Sequence, residues 1–218
     1  MQESYETKLQ QLRAARAETL DLVSGLTQQQ AEFTPAAGKW SVGEVLDHLV
    51  RSEQLYRKKF VELIELAKAG RPPVLRVSFA EVNTSIGFIP KPLLGMMEAP
   101  LGVLNSVMPK CFRETFVKYR LVPAQAPSVA EPRKGRPLGD LVNDLRQAQA
   151  QMDALFAANA DQDFTRMRVI HPLMGDNNIP ELLHFIATHE RRHQNQVRDI
   201  LKLATFPRVA PVAASAAI

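Results

Sequence analysis

Residues 179–203 read IPELLHFIATHERRHQNQVRDILKL, and their apolar periodicity predicts one long helix. Side chains four residues apart on a helix are neighbours, with Cβ atoms about 5–6 Å apart. His189 and His193 have that spacing, so their imidazoles can hold one metal ion between them. Both histidines stand where apolar residues are expected, because they belong to the buried stripe of the helix. The stripe consists of Leu182, Ile186, His189, His193, Val197 and Ile200.

Two histidines rarely complete a metal site, and the best third candidate is His48 on a second predicted helix. Residues 39–50 read KWSVGEVLDHLV, in which Ser41 and Glu44 have the spacing of a capping box. This pattern predicts a helix over residues 42–69. His48 lies inside the broad apolar face of that helix, so it is predicted to face the core.

Two further segments, residues 3–25 and 138–159, repeat the helical periodicity of apolar positions. Four long amphipathic helices predict an all-α protein with a four-helix bundle, since no run of residues alternates with period 2. Residues 72–137 contain ten of the chain's 15 prolines and form a long insertion between the second and third helices. We predict a single bundle domain over residues 1–205, followed by a flexible tail over residues 206–218.

The insertion is predicted to be partly structured. Its apolar residues are concentrated in residues 91–108, which favours one or two short helices lying over the bundle. Residues 122–135 are typical of a flexible linker. A connection of this length is usually functional, mobile or internally packed. The sequence leaves open whether it covers the mouth of the metal site or forms a dimer contact.

Charge and composition argue against nucleic acid as a partner. The formal net charge is +4 and the pI about 9.3, but acidic residues are interleaved with most of the basic ones. Only 6% of residues are aromatic, and no groove-reading motif is present. We therefore do not expect nucleic acid as a partner.

The sequence also favours a cytoplasmic protein. Cys111 is the single cysteine, which excludes an intrachain disulfide and fits a reducing compartment. Residues 1–25 lack the apolar segment of a secretory signal. Residues 92–109 form the longest run of low charge, and Glu98 and Pro100 interrupt it, which argues against a membrane span. Cys111 has no histidine near it in sequence, so it is not favoured as a nucleophile.

The three histidines have two interpretations. A single core histidine is more often bonded to a backbone carbonyl than to a metal. Three buried imidazoles in an apolar layer would each need a polar partner, whereas one metal ion satisfies all three and leaves a position for water. Spacing alone leaves both interpretations open.

Three motifs in this order resemble the DinB/YfiT-like superfamily. They are Trp40-Ser41-x-x-Glu44-x-x-x-His48-Leu49, His171-Pro-x-x-Gly175 and His189-Glu-x-x-His193-x-x-Gln196. The resemblance covers roughly residues 5–70 and 138–203 and does not explain the insertion. It implies a four-helix bundle with one divalent metal ion held by three histidines. Matched position by position, these are His48, His189 and His193.

The resemblance also carries functional expectations. The family includes thiol transferases that use bacillithiol, mycothiol-dependent isomerases and members of unknown activity, and it often forms homodimers. The resemblance therefore implies a metal-dependent transferase, or a hydrolase, whose partner is a small-molecule substrate or a low-molecular-weight thiol cofactor. The alternative is a non-catalytic, metal-stabilised bundle that serves as a dimeric binding or stress-response protein. Imidazole ligands do not identify the metal, and Zn, Ni, Fe, Mn and Cu remain candidates.

The same helix suggests two rival sites. His189-Glu190-x-x-His193 is the zinc-protease pattern, in which Glu190 would be the general base, but no histidine follows downstream as third ligand. A di-iron bundle needs Glu-x-x-His motifs on different helices. The two such motifs in this sequence, Glu181-x-x-His184 and Glu190-x-x-His193, lie on the same helix. No catalytic residue is assigned beyond the ligands. Candidates to line the pocket or orient a ligand are Glu190, Gln196 and His171.

Overall fold

A computed structural model of the protein describes residues 4–78, 130–171 and 174–208. These residues form five helices and three short strands. The helices are α1 (Tyr5–Val23), α2 (Gln28–Glu32), α3 (Val42–Lys68), α4 (Leu138–Ala157) and α5 (Ile179–Lys202), and the strands are β1 (Val74–Arg76), β2 (Arg168–His171) and β3 (Gly175–Asn178). No helix among these residues has the length and hydropathy needed to cross a membrane.

The two helices that carry the histidines begin with reciprocal side-chain caps. At the start of α3, Ser41 Oγ accepts from the Glu44 backbone N–H at 3.2 Å, and the Glu44 carboxylate accepts from the Ser41 N–H at 2.8 Å. Asn178 and Glu181 form the same box at the start of α5. Each cap satisfies backbone donors that the first helical turn leaves unpaired. The predicted start of α3 at Val42 is confirmed.

The four long helices α1, α3, α4 and α5 form the predicted four-helix bundle. Helix α5 packs along α1 and α3, and α4 packs against α3. Their apolar faces fill two core clusters. One includes Leu12, Phe60, Met152, Phe156, Leu182 and Ile186, and the other includes Val45, Leu46, Leu141, Leu145, Val197 and Ile200. Burying one such large side chain stabilises the fold by about 1.5–3 kcal/mol.

A small three-stranded sheet lies beside the bundle and was not predicted. Strand β1 pairs in parallel with β2, and β2 pairs antiparallel with β3. The strands have only three or four residues, too few to show alternation of apolar and polar positions. The first residues of the predicted insertion are therefore packed, because they include β1, which pairs with β2, and the buried Val77.

Two segments that the sequence predicts to be flexible, residues 122–135 and 206–218, contain residues that pack against the bundle. Residues 130–135 were assigned to a flexible linker, but Ala130 is buried and Arg133 bonds to Asp47 on α3. At the C-terminus, Phe206 is buried and its ring lies 5.5 Å from that of Phe33. The helices predicted within residues 91–108, Cys111 and the rest of the tail beyond residue 208 lie outside the described residues.

Candidate metal centre

The side chains of His48, His189 and His193 meet in the bundle. Helix α3 supplies His48, and α5 supplies the other two from successive turns. The Nε2 atom of His189 lies 3.3 Å from Nε2 of His48 and 3.2 Å from Nε2 of His193. One nitrogen from each ring lies within 4.8 Å of those of the other two. His48 and His193 are only 3% and 4% exposed, and His189 is half-buried.

Oxygen atoms hold the opposite edge of two of the three rings. His48 Nδ1 lies 2.8 Å from the carbonyl oxygen of Ala130, and His193 Nδ1 lies 3.0 Å from Gln196 Oε1. A carbonyl oxygen only accepts hydrogen bonds, so the His48 proton resides on Nδ1 and its Nε2 lone pair faces the cluster. At His193, the Nδ1 proton is likewise donated to Gln196 Oε1, so the Nε2 lone pair of His193 also faces the cluster. Nitrogen lone pairs that point to one place can bind a shared cation, and such a set of donors is typical of a metal centre.

The surroundings lower the pKa of two of the three histidines, His48 and His189. Burial lowers the pKa of His48, and the nearby positive charge of Arg192 acts in the same direction. Burial also holds the pKa of His189 well below its ordinary value, with further contributions from His193 and Arg192. Neutral imidazole is the form that binds metal ions, so these residues are in their ligand state near neutral pH.

Polar side chains also lie beside the Nε2 atoms. A guanidinium nitrogen of Arg192 lies 2.8 Å from His193 Nε2, and Ser52 Oγ lies 3.4 Å from His48 Nε2. Arg192 can donate to the lone pair of His193, so it is the competing partner for that nitrogen. Both groups are placed to contact a molecule bound at the cluster.

Aromatic rings restrict the orientation of all three imidazoles. The Trp40 ring centroid lies 4.9 Å from that of His48 and 6.1 Å from that of His193. Phe185 stacks on His189 at 6.0 Å with an interplanar angle of 17°. The capping residue Ser41 places Trp40 just before α3, where it packs against the core. These contacts limit water around the cluster and reduce the rotamers that each histidine can adopt.

Of the other predicted site residues, Gln196 contacts the candidate metal ligand His193, whereas Glu190 bonds to residues of α1. The Glu190 side chain is 1% exposed and faces α1, where it accepts hydrogen bonds from Arg16 at 2.8 Å and from Thr19 at 2.7 Å. Neither a solvent-facing nor a metal-facing position for Glu190 agrees with these contacts. The zinc-protease interpretation therefore lacks its general base, because adjacent residues on a helix point about 100° apart.

His171, the remaining predicted site residue, lies at the end of β2. Its Nδ1 atom accepts from the Met174 backbone N–H at 3.2 Å, and Tyr56 donates to the Met174 sulfur at 3.7 Å. The Tyr56 ring in turn lies 5.8 Å from Phe185, which stacks on His189. Burial, followed by the charge of Lys59, lowers the pKa of His171 to about 4. A chain of contacts through Met174, Tyr56 and Phe185 thus connects His171 to His189.

Sequence reasoning missed Ala130, Arg192 and Asp47. Ala130 contributes a backbone carbonyl, which no side-chain pattern identifies. Arg192 precedes His193 within the motif, but its position off the buried stripe favoured a solvated residue. Asp47 is fully buried beside His48 and bonds to Arg133, 86 residues away, and no pattern within its helix pointed to that contact.

A four-helix bundle with three histidines converging from two of its helices defines a helical protein with a candidate metal centre. The chain belongs to the DinB superfamily, whose family model matches residues 11–197. It is similar to the uncharacterized protein YuaE of Bacillus subtilis (strain 168), with 26% identity over 187 residues that cover 85% of this chain and 92% of YuaE.

The fold is also similar to the solved structure of YfiT from Bacillus subtilis. The TM-score is 0.53 at 15% identity, and the match covers 92% of this chain and 87% of YfiT. YfiT is described as a probable metal-dependent hydrolase with an unusual four-helix bundle topology. At this identity the similarity shows the fold alone.

Proposed function

We propose that this protein is an enzyme that uses one divalent metal ion bound by His48, His189 and His193. The convergence of their three Nε2 atoms is the observation that supports this most directly. We propose further that the reaction is a transfer that involves a low-molecular-weight thiol. The metal is one of Zn, Ni, Fe, Mn or Cu, and imidazole ligands suit Zn, Ni, Fe and Cu.

The residues around the cluster have distinct tasks in this proposal. His48, His189 and His193 bind the ion, while Ala130 and Gln196 fix the orientation of two of the rings. When bound, a divalent ion lowers the pKa of a thiol or water that occupies its open position. The half-buried side of the cluster at His189 is the route by which such a molecule would reach it.

A metal-dependent hydrolase is the second candidate. The description of YfiT as a probable metal-dependent hydrolase favours it, although that description belongs to YfiT. Water would then take the place of the thiol as the nucleophile. The two candidates differ in one requirement, because only the transferase needs an added thiol for turnover.

The third candidate function is a non-catalytic role as a metal-stabilised binding or stress-response protein. In that case the ion would only link α3 to α5, and neither thiol nor water would need access. The partial exposure of His189 favours an accessible site over a closed one. We also propose a homodimer in solution, which size-exclusion chromatography with light scattering tests directly.

The test is turnover of metal-loaded protein with a panel of electrophiles and activated esters, with and without an added thiol such as bacillithiol, mycothiol or cysteine. The transferase predicts metal-dependent product only when thiol is present, and the hydrolase predicts product without it. His48→Ala should abolish either activity. His184→Ala is the matched control, because His184 lies on α5 with His189 and His193, but its Nδ1 atom is 3.2 Å from Gln11 Oε1 on α1, outside the cluster. Absence of turnover with every combination would leave the non-catalytic role.

A further inference from the structure

Residues 130–136, where the insertion returns to the bundle, are fastened to two consecutive residues of α3. The first attachment is the Ala130 carbonyl, which accepts from His48 Nδ1 at 2.8 Å. The second is Asp47, whose carboxylate receives hydrogen bonds from Arg133 and Arg136. His48 is thus a candidate metal ligand, and the adjacent Asp47 binds the segment whose Ala130 carbonyl contacts His48.

Asp47 makes four of these contacts. Oδ2 accepts from the Arg133 backbone N–H at 2.8 Å and from Arg133 Nε at 3.3 Å. Oδ1 accepts from Arg133 Nη2 at 2.8 Å and from Arg136 Nη1 at 3.1 Å. The Asp47 side chain is 0% exposed, so losing these donors would leave a buried charge without compensation. Although burial opposes ionisation, the hydrogen bonds from Arg133 and Arg136 lower the pKa of Asp47.

These contacts determine where the Ala130 carbonyl lies. The backbone N–H of Arg133 is bound directly by Asp47, three residues after Ala130. Anchoring that N–H restricts the positions open to Ala130, because only two residues lie between them and one of these, Pro132, has a fixed φ. The carbonyl in turn decides which nitrogen of His48 is protonated. Partners of this kind usually change metal affinity about 10–100-fold when they are lost.

We propose that Asp47 is a positioning residue for the metal centre. By binding Arg133 and Arg136, it places the Ala130 carbonyl against His48 Nδ1 and so holds the His48 Nε2 lone pair toward His189 and His193. This inference rests on the proposed metal-binding function. It assigns to the end of the insertion a role in forming the site, and it gives Asp47 a role through His48 rather than by contact with the ion.

The experiment compares Asp47→Ala, Arg133→Ala and Arg13→Ala with the wild type in the full chain. Arg13→Ala is the matched control, since Arg13 is also a half-exposed arginine that pairs with an aspartate, Asp153, away from the site. Zn²⁺ affinity is measured by competition with a chelating dye, below the melting temperature of each variant. The protonated ring nitrogen of His48 is identified by ¹⁵N NMR of the metal-free protein.

We expect Asp47→Ala to weaken Zn²⁺ binding about 10–100-fold and Arg133→Ala to weaken it less, with Arg13→Ala unchanged. In both site variants His48 should lose its single Nδ1–H form and become a mixture of tautomers. Folded variants with wild-type affinity and an unchanged tautomer would overturn the inference. If Asp47→Ala does not fold, Asp47→Asn decides the result, because it keeps the side-chain volume but replaces one accepting oxygen with an amide nitrogen that cannot accept from Arg133 or Arg136.

Failure of the inference is distinguishable from failure of the proposed function. If the wild type binds no Zn²⁺, the proposed function fails, and the His48 tautomer in the metal-free variants still tests the role of Asp47. If the wild type binds Zn²⁺ and the variants bind it equally well, only the inference fails.

Discussion

Arg16 on α1 and Glu190 on α5 form a buried ion pair with two hydrogen bonds, at 2.8 and 3.1 Å. Arg16 also donates to Glu53 on α3 at 2.5 Å and to the Leu145 carbonyl on α4 at 2.6 Å. One guanidinium thus bonds to all three other long helices of the bundle. Its charge is retained, because the two carboxylates outweigh burial and raise the pKa of Arg16.

Replacing Arg16 with Met should be strongly destabilising. The substitution keeps the volume apolar but leaves Glu53 and Glu190 buried without a cation, which costs about 3–5 kcal/mol. Urea unfolding of the purified variant measures the change in the free energy of unfolding. Arg198→Met is the control, since Arg198 pairs with the half-exposed Glu18 and its loss should cost under about 1 kcal/mol. Equal effects of the two substitutions would contradict the account.

Glu190→Gln should leave metal binding intact. The carboxylate contacts Arg16 and Thr19 on α1 rather than the three histidines, so it has no role in holding the ion. The variant should be less stable than the wild type, because a charge-assisted pair is lost. Metal content and thermal unfolding are measured on the same sample. Loss of metal from a folded Glu190→Gln protein would show that this residue faces the centre.

Stability should fall in acid because of His171. Burial lowers its folded pKa to about 4, whereas an unfolded histidine titrates near 6.5. Its contribution is therefore complete above pH 6.5 and is lost as the pH falls toward 4, since the unfolded chain then binds an extra proton. His171→Asn should remove on the order of 2 kcal/mol of the change in unfolding free energy between pH 7 and pH 5. Identical pH profiles for variant and wild type would contradict this.

Trp40 should report metal binding by its fluorescence. It is the chain's only tryptophan, and its ring lies 4.9 Å from His48 and 6.1 Å from His193. Adding Ni²⁺ or Cu²⁺ should quench its emission, because these ions would bind next to the indole. His189→Ala keeps both ring contacts of Trp40 and removes a ligand, so the quenching should require much more metal. Unchanged quenching in that variant would place the metal elsewhere.

The helices and the three histidines were predictable from sequence because both depend on local spacing. The stripe of α5 and the capping box before Val42 each lie within one helix, where side-chain periodicity fixes direction. That three histidines on these stripes share one point depends on helix packing, and the family resemblance supplied it.

The contacts that depend on distant parts of the chain were not predictable. Asp47 meets Arg133 across more than eighty residues, and the Ala130 contact uses a backbone atom. Glu190 was placed near the metal because its motif neighbours are histidines, whereas its partner Arg16 lies on α1, 174 residues away. Strands of three or four residues left no periodic pattern to detect.

The most direct test of the metal centre is the metal content of the full-length protein after reconstitution with Zn²⁺ and gel filtration. It is measured by inductively coupled plasma mass spectrometry for wild type, His48→Ala, His193→Ala and His184→Ala. The account predicts about one ion per chain for wild type and His184→Ala. It predicts loss of the ion in the other two variants. Metal-free wild type, or folded His48→Ala and His193→Ala proteins that keep the ion, would contradict a centre built from these histidines.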